Sequence, residues 1–564
     1  MLHFIDFEVF AFNWLCVIIN PTTKTEVTII NDPDQLKKYY DEFKNEIFLG
    51  YNIRRYDQYI LKAILCGFNP KEINDFMITQ GNPGWKFSSL LRNIPLNTYD
   101  VMTSFHGLKQ LEGFMGNSIQ ESSVPFNIDR KLTPEELDET VKYCRHDVEQ
   151  TIEVFIQRKA EFESHMGLIK MFKLPLSYLG KTKAQLSAII LGASKRGRDD
   201  EFDLIIPDTL QIKKYKEVLN WYKNPENRDY SKRLELDVAG VHHVFGWGGI
   251  HGAIDKYHGE GYFVNIDVAS YYPALMIEYG YLSRNISQPT KYKEIRDRRL
   301  ELKAQKDPRN EPLKIVLNGT YGAMKDKFNQ LYDPRQANNV CVGGQLLLLD
   351  LIEKLEDHCQ LIQSNTDGLL VKLHQEEDFD LIDDICYEWE KRTRMVLEFD
   401  SYKKVFQKDV NNYVIVDFNN EYKSKGGYVK KLDSLDYDLP IVNEAVIEYL
   451  LNTTPPEETV SQCNELRKFQ KIVKVSSKYS HALYNGEIQN DKCFRVFAST
   501  HDKDGTIYKV KTPDSNPEKF ANTPEKCFIA NVDINNHKVP LRLDKKWYID
   551  LAIKRLEDFG ICLK

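Results

Sequence analysis

Acidic residues fall into two separate sets along the chain: Asp6, Glu8, Asp57 and Asp147 in the first quarter, then Asp267 and Asp367 around a Lys/Arg-rich segment, with Asp100 as an outlier. Carboxylates are hard oxygen donors, the ligand class of Mg²⁺. A shell that holds a pair of such cations can polarise a scissile phosphate and acidify an attacking oxygen. The grouping predicts two phosphodiester chemistries on one polypeptide.

Positioning these groups places demands on the elements around them. Residues 2–10 and 14–20 read as two buried strands joined by a short turn, and alternation puts Asp6 and Glu8 on one face. Asp57 ends the run Asn52-Ile53-Arg54-Arg55-Tyr56-Asp57. Tyr143 and Asp147 stand at i and i+4 on a helix that starts at Thr133-Pro134-Glu135-Glu136, where Thr caps, Pro takes the first helical position and acids fill the first turn. Tyr262–Asp267 reads as a strand ending on an acid. Residues 290–327 read as two basic helices broken at Asp307-Pro308, and 360–372 as a hairpin turning at Asn365-Thr366-Asp367-Gly368. Asp100 follows a short apolar stretch and is given a structural role. The last clear element is a helix over Lys545–Phe559.

Composition bounds the answer. A chain of 564 residues with 42% apolar content suggests about three or four domains with ample cores. Its ten cysteines form no C-x-x-C pair, which argues against a zinc ribbon and for reduced thiols. No run reaches the ~20 apolar residues of a membrane span, and no signal sequence opens the chain, so a soluble, cytoplasmic protein is expected. The net charge of −7 weighs against a nucleic-acid partner. Basic residues nevertheless cluster in 181–198, 291–327 and 403–431, which allows a basic groove on an acidic body.

The first acidic set, with Tyr143, resembles the DEDDy 3′→5′ exonucleases of the ribonuclease H-like fold, and especially the proofreading domain of family B DNA polymerases. The resemblance implies that Asp6, Glu8, Asp57 and Asp147 hold two metals, that Tyr143 orients the attacking water, and that Asn52 and Tyr56 contact a single-stranded 3′ end. Val9 stands where the family usually has Thr.

The second set resembles the polymerase half of the same family. Asp267-Val268-Ala269-Ser270-Tyr271-Tyr272-Pro273 is similar to D-x-x-S-L-Y-P, with Tyr271 in place of Leu. The resemblance implies that Tyr272 stacks under the sugar and excludes a 2′-hydroxyl. Lys314-Ile315-Val316-Leu317-Asn318-Gly319-Thr320-Tyr321-Gly322 resembles K-x-x-x-N-S-x-Y-G, with Gly319 for Ser. Lys314, Asn318 and Tyr321 fall at i, i+4 and i+7, one helical stripe that can face a nucleotide. Arg299 and Lys303 resemble the R-x-x-x-K pair that reaches the triphosphate. Ser364-Asn365-Thr366-Asp367-Gly368 takes the place of the D-T-D hairpin, Asn365 replacing its first acid. Trp247-Gly248-Gly249 resembles the Y-x-G-G segment near the template, Asn411-Asn412-Tyr413 the K-x-Y segment at the primer end, and Lys425-Gly426 the turn after it.

Together these imply an α+β multidomain protein. A ribonuclease H-like exonuclease domain (1–175) and a connector (176–240) precede a right-handed polymerase with palm (241–285 and 328–430), short helical fingers (286–327) and a mixed thumb or C-terminal region (431–564). The implied cofactors are Mg²⁺ or Mn²⁺, two per site; the implied partners are primer–template DNA, single-stranded 3′ ends and dNTPs, bound by a monomer. Short intervals from Asp267 to Lys314 and from Tyr321 to Asp367 leave no room for the insertions of protein-primed phage polymerases. The compact size suggests a phage or mobile-element enzyme acting in the host cytoplasm. Two competing classes stay open: a 3′→5′ exonuclease whose polymerase half is degenerate and merely grips DNA, and a noncatalytic single-strand-binding scaffold.

Overall fold

A computed structural model describes residues 1–563. The chain forms a mixed α/β, multidomain protein of two compact units, one of residues 1–180, 432–445 and 454–551, the other of residues 181–431, 446–453 and 552 onward. No helix among the described residues is long and apolar enough to cross a membrane.

The first unit is built on a five-stranded sheet of β1 (Leu2–Val9), β2 (Trp14–Asn20), β3 (Thr25–Ile30), β4 (Ile47–Gly50) and β5 (Asn97–Asp100), in the order β3-β2-β1-β4-β5. The first three strands are antiparallel and β4 and β5 run parallel to β1. β1 lies at the centre and is buried along its length apart from Leu2 and Asp6, as its run of apolar and aromatic residues requires. Three helices matter for the site: α1 (Asp57–Leu65), α2 (Leu108–Met115) and α3 (Pro134–Gln157). α3 starts where its capping box lies. The Thr133 hydroxyl accepts from the Glu136 N–H at 3.2 Å and the Glu136 carboxylate accepts from the Thr133 N–H at 2.8 Å, which satisfies two of the otherwise orphaned donors.

The C-terminal section contributes a three-stranded sheet (Lys471–Lys474, Cys493–Ala498, Cys527–Ile529) and a four-stranded one (His481–Tyr484, Glu487–Gln489, Ile507–Val510, Glu518–Lys519) to this same unit. Its anchor is Arg495, which is fully buried. The guanidinium donates to the carbonyls of Gly113, Asn117, Ala530 and Val532 and to Gln470 Oε1, at 2.6–3.1 Å. A buried cation without a carboxylate needs such a full set of acceptors, and burial still lowers its pKa to about 10. Two of those carbonyls lie in or just after α2, and Arg467 and Gln470 donate to a third, of Phe114. The end of α2 is thereby held by residues more than 350 positions away.

The second unit carries a nine-stranded antiparallel sheet: β6 (Leu234–Val238), β7 (Val241–Phe245), β8 (His251–Ala253), β9 (Tyr257–Val268), β10 (Gln360–Asn365), β11 (Gly368–Lys372), β12 (Leu397–Asp409), β13 (Asn412–Val416) and β14 (Tyr422–Lys425). Their order is β14-β13-β12-β9-β11-β10-β8-β7-β6. Among its helices are α4 (Lys183–Ile190), α5 (Tyr271–Glu278), α6 (Thr290–Ala304), α7 (Asn310–Lys325) and α8 (Pro334–Leu355). The break between α6 and α7 falls at Asp307-Pro308, since proline cannot continue the helix before it. α8 is buried almost throughout, its polar Gln336, Asn338, Asn339, Gln345 and Asp350 included, as a helix enclosed by its unit must be.

The stretch read as a connector is folded. It supplies α4, which buries Leu186, Ala188 and Ile190, and the edge strand β6. Within its basic run Arg198 is turned inward and donates to Asn285 Oδ1 at 2.7 Å, and the next acid, Asp200, pairs with Arg284 at 2.6 Å and Arg335 at 3.3 Å.

Candidate active sites

In the first unit, Asp6 and Glu8 share the face of β1 that α3 covers. α3 brings the Cys144 thiol to the Asp6 carbonyl at 3.4 Å and to Asp6 Oδ2 at 3.7 Å. Ligand atoms of Asp6, Glu8 and Cys144 lie within 4.8 Å of one another. Asp57 opens α1 and accepts from the Phe7 N–H at 3.2 Å, which ties it to the middle of β1. Its approach is set by Asp100, whose carboxylate accepts from the backbone N–H groups of Asn52, Arg54 and Met102 at 2.9–3.1 Å. Asn52 takes φ +67° in that turn, a left-handed conformation asparagine tolerates better than most residues. The Tyr56 hydroxyl donates to Asn74 at 2.7 Å.

Burial and crowding set the electrostatics. Burial first, then the neighbouring carboxylates, hold Asp6 and Glu8 well above the usual carboxylate range. Burial raises Asp57 to about 7 and Asp147 to about 6. Burial and the charges of Asp147, Glu8 and Asp6 push the Tyr143 phenol far up, so it stays protonated and can donate a hydrogen bond. An anionic, oxygen-rich set whose members repel one another fits Mg²⁺ or Mn²⁺.

Lys109, on α2, was not among the residues expected at this site. Its ammonium is bonded to Asp147 Oδ1, reaches Glu112 Oε1 at 3.0 Å, and lies 4.7 Å from the centre of the Tyr143 ring. Glu112 is fully buried and also accepts from the Gln120 N–H at 3.2 Å, with His146 Nε2 3.6 Å away. The available signal was Glu112 itself, an acid inside the apolar run Leu111 to Met115, because a buried carboxylate requires a cationic or hydrogen-bonding partner.

In the second unit the β9–β11 register sets Asp267 opposite Gly368, immediately after Asp367 in the turn. A Cβ on Gly368 would lie 2.0 Å from Asp267 Oδ1, so glycine is required for that carboxylate to occupy its position. Asn265 donates to Asp267 Oδ2 at 2.6 Å. Burial, then Asp367, raises Asp267 to about 6. Both acids line an open cleft of about 300 Å³ together with Asn365, Tyr413 and Lys425. β12 adds two acids that the sequence did not single out. Glu398 pairs across from Asp267 and Asp400 across from Asn265, and directly opposed residues share a face. Asp400 is held by Lys423 at 2.9 Å. Clustered carboxylates on an open sheet face fit the same hard cations.

The turn after Asp267 is tight, Ser270 taking φ +49° before α5. Tyr271 is buried and its hydroxyl donates to the Gly344 carbonyl at 2.7 Å, which accounts for a tyrosine where the resemblance has Leu. Tyr272 is half-buried, its ring 4.5 Å from that of Tyr321. Lys314 and Asn318 are exposed on the same stripe of α7 as Tyr321, and Lys325 extends it by one more turn. Gly319 faces α4, where a Cβ would meet Ser187 Oγ at 2.8 Å, so a larger residue there would have to displace that hydroxyl. On α6, Lys303 is exposed, and Arg299 Nε is buried without a hydrogen-bond partner.

The glycines 248 and 249 differ. A Cβ on Gly249 would meet Thr366 Oγ1 at 2.8 Å, so packing on the Asp367 turn requires it, whereas Gly248 faces open space. Tyr413 and Lys425 are register partners, the ammonium 5.9 Å from the ring. Gly426, at φ +99°, has no room for a Cβ, which would lie 2.0 Å from the Asn411 carbonyl.

No protein-family model matches the chain, and no curated protein matches its sequence. Among solved structures it is similar to the family B DNA polymerase from the hyperthermophilic archaeon Pyrobaculum calidifontis, at a TM-score of 0.43 and 13% identity, over 100% of this chain and 78% of that one.

Proposed function

We propose that this chain is a family B-like DNA-directed DNA polymerase with a 3′→5′ proofreading exonuclease, replicating phage or mobile-element DNA. The observation that carries the reading is the joint presence, in one unit, of Asp267 and Asp367 lining one cleft and of the Tyr272 ring packed on Tyr321, which lies on the stripe that begins at Lys314. Two divalent cations in each site, when bound, supply the Lewis acidity that activates an oxygen nucleophile and offsets charge on the leaving group.

In synthesis, Asp267 and Asp367 carry the negative charge that binds those cations, with Asn265 fixing one oxygen of Asp267. Lys314, Arg299 and Lys303 take the triphosphate, and Tyr272 lies under the sugar. Gly248, Gly249, Tyr413 and Lys425 border the template and primer. In proofreading, Asp6, Glu8, Asp57 and Asp147 bind the second pair of cations. The protonated Tyr143 orients water, Lys109 fixes Asp147, and Asn52 and Tyr56 border the frayed end.

Primer extension with and without Mg²⁺, on matched and mismatched ends, tests the reading, with Asp367→Ala as control. Extension that Asp367→Ala abolishes, and trimming of mismatched ends, are the expected results. Asn365 favours a second reading, a nuclease with a degenerate polymerase half. Degradation of single strands without any nucleotide incorporation would replace the first reading with that one.

A further inference from the structure

α8 runs through the second unit as a buried rod, and one of its side chains reaches the residues assigned to sugar recognition. Cys341 is buried on α8. The Tyr321 hydroxyl is hydrogen-bonded to its Sγ, and the Lys325 ammonium donates to the same atom at 3.5 Å. One phenol and one ammonium thus converge on a single sulfur, and the Tyr272 ring packs against that phenol. The rings of Tyr272 and Tyr321 touch at 4.5 Å and 59°, and Lys325 lies 4.9 Å over the Tyr321 ring.

Neither ring is held from all sides. Tyr272 and Tyr321 are half-buried, and Lys325 is exposed. Tyr272 sits two residues after the strained Ser270, on a short helix. Cys341, by contrast, belongs to the best-buried helix of its unit, between the buried Val340 and Val342, and Gly344 of the same helix accepts from Tyr271. A thiol is small, polarisable and able to accept from two donors at once.

We infer that Cys341 is a positioning residue for sugar discrimination: its sulfur fixes the Tyr272–Tyr321 pair so that the ring beneath the sugar stands where a 2′-hydroxyl would clash. The inference rests on the polymerase reading. A gate discriminates through its position, and a small displacement of the ring relaxes selection against ribose more than it slows incorporation of the correct nucleotide.

The test is single-nucleotide incorporation of a dNTP and its matching rNTP by the full chain. Cys341→Ala is expected to lower the ratio of kcat/KM for dNTP over rNTP by about tenfold, mostly through faster rNTP incorporation. Cys341→Val, which fills the volume but offers no acceptor, should do the same, and it stands in if the cavity left by alanine unfolds the protein. Cys341→Ser should recover most of the discrimination. A role in packing alone would slow both substrates together and leave the ratio unmoved. An unchanged ratio in the alanine or valine variant, with dNTP incorporation intact, overturns the inference and leaves the polymerase reading standing. A wild type that incorporates neither nucleotide overturns both.

Discussion

In the first unit four carboxylates are crowded between β1, α1 and α3, largely out of water, and a lysine is built in against one of them. In the second, Asp267 and Asp367 share an open cleft, and the place where the resemblance expects a further acid holds Asn365. The contrast shows two ways of keeping a cluster of carboxylates tolerable in a folded protein. The buried cluster raises its own pKa values and is met by an internal lysine; the open one carries Asn365 at its turn, pairs Asp400 with the exposed Lys423 and leaves the remaining screening to solvent.

Substituting the acids separates the two regions most sharply. Asp267→Asn or Asp367→Asn should lower primer extension by about 10³-fold or more and leave degradation of single strands unchanged, while Asp6→Asn with Glu8→Gln should do the reverse. Steady-state rates in both assays, on one preparation of each variant, decide it. A variant that abolishes both activities would mean that the two sets are not separate chemistries.

Lys109 comes next in size. Lys109→Met removes the cation beside Asp147 and should lower the degradation rate by about 10²-fold, with primer extension unaffected. Lys109→Arg should recover part of the loss. If Lys109→Met degrades single strands at the wild-type rate, the lysine is an ordinary ion-pair partner and the contrast with the open site loses its cation.

How far such residues were legible depends on how local their signal is. The alternation of Asp6 and Glu8, the Thr133–Glu136 cap and the Asn365–Gly368 turn are written within a few positions, and each element forms where its pattern lies. Lys109 and Glu112 were not legible in the same way. They sit on a helix of ordinary amphipathic pattern, and their meaning comes from Asp147, 38 positions from Lys109. Glu398 and Asp400 are brought beside Asp267 and Asn265 by the β9–β12 register alone, which no local pattern encodes. The C-terminal section was opaque for the same reason. Arg495 would read as a surface cation until the carbonyls of Gly113 and Asn117, 382 and 378 positions away, close around it.

The open site can be pushed toward the crowded one. Asn365→Asp adds a carboxylate to the cleft of Asp267 and Asp367, and the Mg²⁺ concentration giving half-maximal extension should fall by about three- to tenfold, because each added ligand charge strengthens cation binding. A metal titration of extension rates measures this. An unchanged or higher half-saturation point would show that Asn365 serves the fold of the turn, where its Oδ1 accepts from the Thr366 N–H at 2.9 Å, and not the charge balance.

The smallest effect concerns stability and tests the buried cluster directly. Burial raises Asp57 to about 7, against about 3.9 for an unfolded aspartate. The native state therefore holds this proton over a pH range in which the unfolded chain has released it. The stabilisation this provides is complete below about pH 4 and is lost as pH rises through about 7. Asp57→Asn is neutral at every pH and keeps an Oδ1 to accept the Phe7 N–H. In chelator, the thermal midpoint of Asp57→Asn relative to wild type should climb steadily from pH 5 to pH 8. Mg²⁺ should shrink that difference by stabilising the wild type through its ionised carboxylate. Asp267, raised only to about 6 and less completely buried, should give a smaller difference that levels off by about pH 7. Equal slopes for Asp57→Asn and Asp267→Asn would mean that burial does not distinguish the two sites, and the comparison would have to rest on Lys109 alone.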